Sequence, residues 1–118
     1  MLVVDDDAAV RESVCDVLGS AGFSPIAVGD GREALRILGG TKVDAILLDL
    51  FMPDVTGTDV LDALEADGPV VVVFSAFEYM GLREVKARHG SKVCAFVSKP
   101  APPAKLVRTV AQCLGESA

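Results

Sequence analysis

The sequence predicts an α/β fold, a doubly wound (βα)5 unit with a five-stranded parallel sheet. Three observations predict it: five short apolar runs recur along the chain, they do not alternate polar with apolar positions, and the segments between them have helical periodicity. Continuous β-branched runs are typical of parallel strands buried on both faces. Parallel neighbours also need a crossover helix to return the chain. The runs lie at 1–4, 25–28, 45–48, 70–74 and 93–97.

The first intervening segment has a clear helical pattern. Val10, Val14, Val17 and Leu18 are spaced along one face, an aspartate precedes them as an N-cap, and Gly22 follows. The other predicted helices run from Asp30 to Gly39–Gly40, from near Thr58 to Gly68, more weakly over 77–87, and from Pro102–Pro103 to Gly115.

Length and charge restrict the function. The 118 residues, 51% of them hydrophobic, predict one domain over 1–118 with a real core. A net charge of −6 repels phosphate backbones and anionic membrane surfaces. Aromatic residues make up 5% of the chain and offer few stacking surfaces for bases. We therefore expect no direct nucleic-acid binding and no membrane partner.

The cysteines and the hydropathy pattern predict a cytoplasmic protein. Cys15, Cys94 and Cys113 are odd in number, far apart and set in apolar stretches, so we predict reduced core thiols. No run approaches the ~18 apolar residues of a membrane span, and no signal peptide is visible. His89 lies in a basic stretch, where the sequence predicts a solvated helix end.

Polar residues follow four of the apolar runs directly. In a doubly wound sheet, ligands bind beyond the carboxyl ends of the strands, so these side chains should meet. Clustered carboxylates repel one another unless a cation neutralises them, and a carboxylate-only oxygen site suits Mg²⁺. The residues are Asp5, Asp6 and Asp7 after the first run, Asp49 after the third, Ser75 after the fourth, and Ser98 and Lys99 after the fifth.

The same strand ends hold the groups that phosphoryl transfer requires. Asp49 is a candidate nucleophile because carboxylates form aspartyl phosphates. The Lys99 ammonium and the Ser75 hydroxyl can donate to phosphoryl oxygens. Either residue alone could simply pair with an exposed aspartate or end a strand. Their joint occurrence favours a phosphoryl site.

Four motifs follow one another along the chain. They are Val3-Val4-Asp5-Asp6-Asp7, Leu47-Leu48-Asp49-Leu50-Phe51-Met52-Pro53-Asp54 followed by Gly57, Phe74-Ser75-Ala76, and Phe96-Val97-Ser98-Lys99-Pro100. In this order they resemble the receiver domain of bacterial response regulators, and the resemblance covers essentially the whole chain.

The resemblance implies a flavodoxin-like fold with strand order 2-1-3-4-5. It implies that Asp49 accepts a phosphoryl group from the phosphohistidine of a histidine kinase or phosphotransfer protein. It also implies a Mg²⁺ ion held by Asp5, Asp6, Asp49 and the backbone carbonyl of Phe51. The protein would then be a switch that catalyses its own phosphorylation and dephosphorylation.

The remaining roles also come from the resemblance. Ser75 matches the switch hydroxyl, Lys99 the site lysine with a cis bond to Pro100, and Phe96 the switch aromatic. Output would leave through the face of the fourth helix, fifth strand and fifth helix. The implied partners are a downstream protein or a detached output domain, and a second copy of the chain on phosphorylation.

The sequence leaves two alternative functions. A pseudo-receiver that binds partners without phosphorylation is disfavoured by the intact set of site residues. An Mg²⁺-dependent aspartyl-phosphate phosphatase needs a second carboxylate two positions after its nucleophile, where this chain has Phe51.

Two aromatic residues predict a long-lived phosphoryl group. Phe51 and Phe77 stand two positions beyond Asp49 and Ser75, where their rings should hinder an attacking water. Packing of both rings elsewhere is the alternative. Asp7, Asp54 and Asp59 are predicted to be loop or helix-capping residues.

Overall fold

A computed structural model describes residues 1–52, 54–65, 67–76 and 82–115. Its five strands form one parallel sheet in the order β2-β1-β3-β4-β5. This confirms the predicted doubly wound, flavodoxin-like arrangement and its strand order. The strands are β1 (Leu2–Val4), β2 (Ile26–Val28), β3 (Ala45–Leu48), β4 (Val70–Ser75) and β5 (Ala95–Ser98).

Within the described residues, five α-helices connect or follow the strands. Asp7 and Asp30 cap the first two through their side chains, as the sequence predicts. The third begins at Gly57, after a capping box between Thr56 and Asp59. The helices are α1 (Ala8–Ser20), α2 (Gly31–Gly40), α3 (Gly57–Ala63), α4 (Leu82–His89) and α5 (Pro103–Cys113).

Two predicted helix boundaries differ from the structure. The third helix ends at Ala63 instead of Gly68, because Leu64 adopts an extended backbone and is buried. The fourth is described from Leu82 and continues into a 3₁₀ turn, Gly90–Lys92. The predicted start at 77 lies outside the described residues.

The core consists of two layers, one on each face of the sheet, because successive strand side chains point to opposite faces. Leu2 and Val4 of β1 pack with residues of α2, α3 and α4. Val3, between them, packs with Val14 of α1 and with α5. The predicted burial on both faces holds for β1 and β3, whereas Ile26 of the edge strand β2 is exposed.

The prediction for the cysteines is wrong for two of the three. Cys94 and Cys113 form a disulfide with a Cα–Cα distance of 5.9 Å, and Cys94 is exposed. Only Cys15 is a free thiol in the part of the chain that the structure describes. Sequence separation misled the prediction because β5 and α5 run in opposite directions, so that the ends of the segment meet.

The prediction for His89 is also wrong. The residue is buried, with 4% of its surface exposed, and its Nε2 lies 3.5 Å from Asp62 Oδ1. The last turn of α4 is followed by the 3₁₀ turn, where Lys92 Nζ donates to the Leu61 carbonyl at 2.9 Å. These contacts turn the histidine towards α3 instead of solvent.

Candidate functional site

Asp49 follows β3 directly and lies among the ends of three strands. Its amide N–H donates to the Val4 carbonyl at 2.9 Å, which fixes the backbone against β1. The residue is 6% exposed. Oδ1 accepts hydrogen bonds from the Ser75 hydroxyl at 2.8 Å and from the Phe51 N–H at 3.2 Å. The carboxylate is therefore held in one orientation.

Ser75 is the last residue of β4 and is fully buried. Besides donating to Asp49, its Oγ accepts from the Leu50 N–H at 3.4 Å. Its backbone carbonyl accepts from the Lys99 N–H at 2.9 Å, which links the ends of β4 and β5. The Ser75 hydroxyl thus connects β4 to the loop between β3 and α3, hereafter the acceptor loop, and the Ser75 carbonyl connects β4 to the end of β5.

Asp5 and Asp6 bring two further carboxylates to the same point. Asp5 is 3% exposed and its Oδ1 accepts from the Asp7 N–H at 2.9 Å, whereas Asp6 is exposed. One carboxylate oxygen from each of Asp5, Asp6 and Asp49 lies within 4.8 Å of the others. Hard oxygen donors in this number suit Mg²⁺, which binds through a few carboxylates and keeps several waters. The residues present therefore fit a Mg²⁺ ion.

Lys99 supplies the positive charge of the cluster. Its Nζ lies 2.6 Å from Asp5 Oδ2 and 3.6 Å from Asp49 Oδ2. The ammonium also lies 5.5 Å from the centroid of the Phe74 ring. The Lys99–Pro100 bond is cis, as the resemblance implied. The ammonium contacts two of the three clustered carboxylates, and one positive charge against three negative ones leaves a net negative charge that attracts a cation.

Gly57 and Arg11 contact the backbone of the site residues. A Cβ atom at Gly57 would overlap the Asp49 carbonyl oxygen and the Leu50 Cα, so only glycine lets α3 approach the acceptor loop. Arg11 Nη1 donates to the Asp5 carbonyl at 2.8 Å. Sequence reasoning missed Arg11, although its place on α1, four residues after the cap Asp7, was an available signal.

Phe51 lies at the rim of the site, and 49% of its surface is exposed. It lines a cavity of about 150 Å³ between the acceptor loop, α3 and α4, together with Thr58 and the buried His89. Phe77, the second aromatic residue of the shielding prediction, lies outside the described residues. The prediction of a shielded phosphoryl group stays a prediction.

Phe96 lies on β5, with Lys86 Nζ 5.4 Å from its ring centroid. It is partly buried and packs against the core layer on the α2, α3 and α4 face. Asp54 and Asp59 are not in the carboxylate cluster. Asp54 lies in a loop with φ +65°, and Asp59 caps α3, as predicted.

Known proteins with similar sequences are response regulators. A family model described as "Response regulator receiver domain" matches residues 1–111. The DNA-binding response regulator MtrA of Mycobacterium leprae is 36% identical over 110 residues, which cover 93% of this chain and 48% of that protein. The response regulator MprA of Mycolicibacterium vanbaalenii is 42% identical over 76 residues, 62% of this chain and 33% of that protein. The chain spans about half the length of MtrA.

Solved structures agree. A response regulator receiver protein from Burkholderia phymatum has a TM-score of 0.86 and 31% identity, covering 99% of this chain and 95% of its own. A CheY-like receiver domain protein from Methanospirillum hungatei has a TM-score of 0.78 and 28% identity, covering 97% and 92%.

Two expectations from the sequence concern the membrane and nucleic acids. Among the described helices, none combines the length and the apolar character needed to cross a membrane. Because the first relative is named as DNA-binding, the expectation that this chain does not itself bind nucleic acid stays a prediction.

The family match, the relatives and the fold agree on one conclusion: the chain belongs to the response regulator receiver domain family, whose members are signalling switches of two-component systems.

Proposed function

We propose that this receiver accepts a phosphoryl group on Asp49 from the phosphohistidine of a histidine kinase or phosphotransfer protein. The arrangement of Asp49 carries the proposal. One carboxylate oxygen accepts from Ser75 and the other lies 3.6 Å from the Lys99 ammonium. A nucleophile and two donors therefore meet at one buried point.

The proposed transfer forms a bond between an Asp49 carboxylate oxygen and phosphorus and breaks the phosphorus–nitrogen bond of the donor histidine. The Lys99 ammonium and the Ser75 hydroxyl then donate to phosphoryl oxygens. Such fixed donors act where charge develops in the transition state, which is the main source of catalysis for this reaction.

Mg²⁺ is the cofactor that the acidic cluster suits. Asp5, Asp6 and Asp49 would hold it, with the backbone carbonyl of Phe51 as the expected fourth ligand. When bound, the ion supplies positive charge to the phosphoryl oxygens. The chain itself provides the alignment, because Asp5 is fixed by the Asp7 N–H and Asp49 by the Ser75 hydroxyl.

The switch would begin at Ser75. A phosphoryl group on Asp49 draws the Ser75 hydroxyl away from the carboxylate oxygen that it now contacts. That movement would change the end of β4 and, through it, the α4–β5–α5 face that contains Phe96. We propose that this face controls binding to a downstream protein, to an output domain, or to a second copy of the chain.

The relatives support one class of output partner. MtrA is named as DNA-binding, and this chain spans about half its length. A DNA-binding output domain is therefore the partner class we favour, with the net charge of −6 keeping DNA away from the receiver itself. We propose a cytoplasmic location for the switch.

Incubation with a small phosphodonor and Mg²⁺, followed by intact-mass measurement, tests the proposal. We expect the wild type and Asp54→Asn to gain one phosphoryl group and Asp49→Asn to gain none. Asp54 is a matched control because it lies in the same loop but outside the carboxylate cluster. A folded wild type that binds Mg²⁺ and never gains the group would favour the pseudo-receiver. Uptake by Asp49→Asn equal to that of the wild type would reject Asp49 as acceptor.

A further inference from the structure

The disulfide lies at the opposite end of the sheet from the candidate site. Cys94 immediately precedes β5, and its N–H donates to the Val71 carbonyl at 2.8 Å, beside the start of the β4–β5 ladder. Cys113 is the last residue of α5. The bridge therefore joins the amino end of a strand to the carboxyl end of the helix that follows it.

The two cysteines meet because the strand and the helix have matching lengths. At about 3.3 Å per residue, the five residues from Cys94 to Ser98 extend ~16 Å. The eleven residues of α5, at about 1.5 Å each, return over ~16 Å. A strand and a helix of equal length running in opposite directions bring their outer ends together. The pairing is thus a property of the fold and does not depend on a chance loop conformation.

The two cysteine residues differ in exposure. Cys94 is exposed and Cys113 is half-buried against the core layer that α5 shares with α1. An exposed bridge is open to attack by small thiols, and exposed disulfides are the labile class. Cys15, the remaining cysteine, has a thiol pKa raised by burial and by the neighbouring Asp16 carboxylate. A raised pKa leaves little thiolate, so Cys15 is a poor competitor in exchange.

We propose that Cys94 and Cys113 form a reversible thiol–disulfide switch that fixes the end of α5 to β5 and responds to low-molecular-weight thiols and disulfides. In the oxidising direction, the Cys94 thiolate attacks a small disulfide, forming a mixed disulfide and releasing one small thiol. The Cys113 thiolate then attacks Cys94 Sγ and releases the second. Two protein thiols are oxidised and one small disulfide is reduced to two thiols. Excess small thiol reverses both steps.

The consequence of the switch is local to one face. The bridge closes a ring over residues 94–113, which contains β5, Lys99 and α5. The last turn of α5 is closed by backbone hydrogen bonds from the Leu114 N–H to the Val110 and Gln112 carbonyls, and no basic residue lies in that turn. The disulfide is thus the covalent restraint on that helix end, and its reduction should free the last turn while the buried Leu106 and Val110 keep the rest of α5 in place.

Thiol counting tests the chemistry. The protein is equilibrated with reduced and oxidised glutathione at a series of ratios, quenched in acid, denatured, alkylated and weighed. We expect one alkyl group per chain under oxidised glutathione and three under reduced glutathione, with no denaturant needed for the change. Three groups at every ratio, or one at every ratio, overturns the switch. Cys113→Ser is expected to trap glutathione on Cys94, and the absence of such an adduct overturns the proposed route.

Thermal stability and amide hydrogen exchange test the effect of the bridge on α5. The oxidised and reduced forms of the wild type are compared, so that the bridge is removed without any substitution. Closing a loop of this length should raise Tm by roughly 10 °C in the oxidised form. Amides of the last turn of α5 should exchange faster after reduction, and those of β3 should not change. Cys15→Ser should keep both differences, and Cys94→Ser should lose them. Equal Tm and equal exchange in the two redox forms of the wild type overturn the proposal. None of these readouts depends on phosphoryl acceptance, so the two proposals can fail separately.

Discussion

The two ends of the central strands have opposite designs. At the carboxyl ends, Asp5 and Asp49 are buried beside one lysine, and their charges repel each other. At the amino ends, a disulfide joins β5 to α5, and a cavity of about 560 Å³ with several apolar walls lies between α2 and α3. The same parallel sheet has both ends, so the difference in charge and covalent linkage comes from the residues placed at each end and not from the fold alone.

The contrast shows how a receiver separates stability from chemistry. Like charges held together cost folding free energy, and a group that arrives there, such as a cation or a phosphoryl group, can change the balance. The core layers and the covalent bridge stabilise the chain without contributing to that site. Substitutions at the carboxyl ends should therefore change ligand responses most, and substitutions in the core layers or at the bridge should change stability more than ligand responses.

The largest effect is expected at Lys99. Lys99→Met removes the ammonium 3.6 Å from Asp49 and should slow phosphoryl uptake from a small donor by about 100-fold or more. Lys105→Met, on the exposed face of α5, is the matched control and should leave the rate unchanged. Intact mass against time gives both rates. Equal slowing in the two variants would contradict the assignment of Lys99.

Mg²⁺ should stabilise the folded chain through the carboxylate cluster. At about 100 times the dissociation constant, a ligand that binds only the folded state adds ~2.7 kcal/mol to the free energy of unfolding. Asp5→Asn should lose most of this increment, and Asp16→Asn, an exposed aspartate on α1, should keep it. Urea unfolding with Mg²⁺ and with a chelator measures the difference. An increment that survives Asp5→Asn would place the ion elsewhere.

Two glycine variants compare a crowded position beside the site with an open position on α2. Gly57→Ala puts a Cβ atom against the backbone of Asp49 and Leu50 and should lower the free energy of unfolding by about 1–3 kcal/mol. Gly39→Ala enters open space on α2 and should raise it by about 0.5 kcal/mol. Urea unfolding of both variants provides the comparison. A stabilising effect of Gly57→Ala would refute the close approach of α3 to the acceptor loop.

The smallest effect concerns the lifetime of the phosphoryl group. If the rings at 51 and 77 hinder water, then Phe51→Asn combined with Phe77→Glu should lose phosphate several-fold faster than the wild type. Phosphate release from purified, phosphorylated protein measures this after the donor is removed. Loss from the double variant no faster than from the wild type would mean that the rings pack elsewhere.

Local signals in the sequence predicted the five strands, with ends within two residues of those observed. Asp49 directly follows an apolar run, and the parallel topology then sends it to the same edge as Asp5 and Ser75. Asp7 and Asp30 were readable as caps because capping depends on neighbours within a few residues. These features could be predicted because each needs only local chemistry or the direction of the strands.

The errors came from contacts that depend on how elements pack. His89 has basic neighbours and reads as solvated, yet the packing of α4 on α3 buries it beside Asp62. Cys94 and Cys113 are separated by 19 positions and meet because the segment from Cys94 to the end of β5 and the returning helix α5 have similar lengths. That length match was present in the sequence and is the signal that would have found the bridge.

Chemical mapping of the acceptor tests the central claim most directly. Borohydride reduces an aspartyl phosphate to homoserine, and proteolysis with mass spectrometry then locates the changed residue. The account predicts homoserine at position 49 alone, only after treatment with both the phosphodonor and Mg²⁺. Homoserine at Asp5, Asp6 or Asp54, or conversion at Asp49 that is equally complete without Mg²⁺, would contradict it.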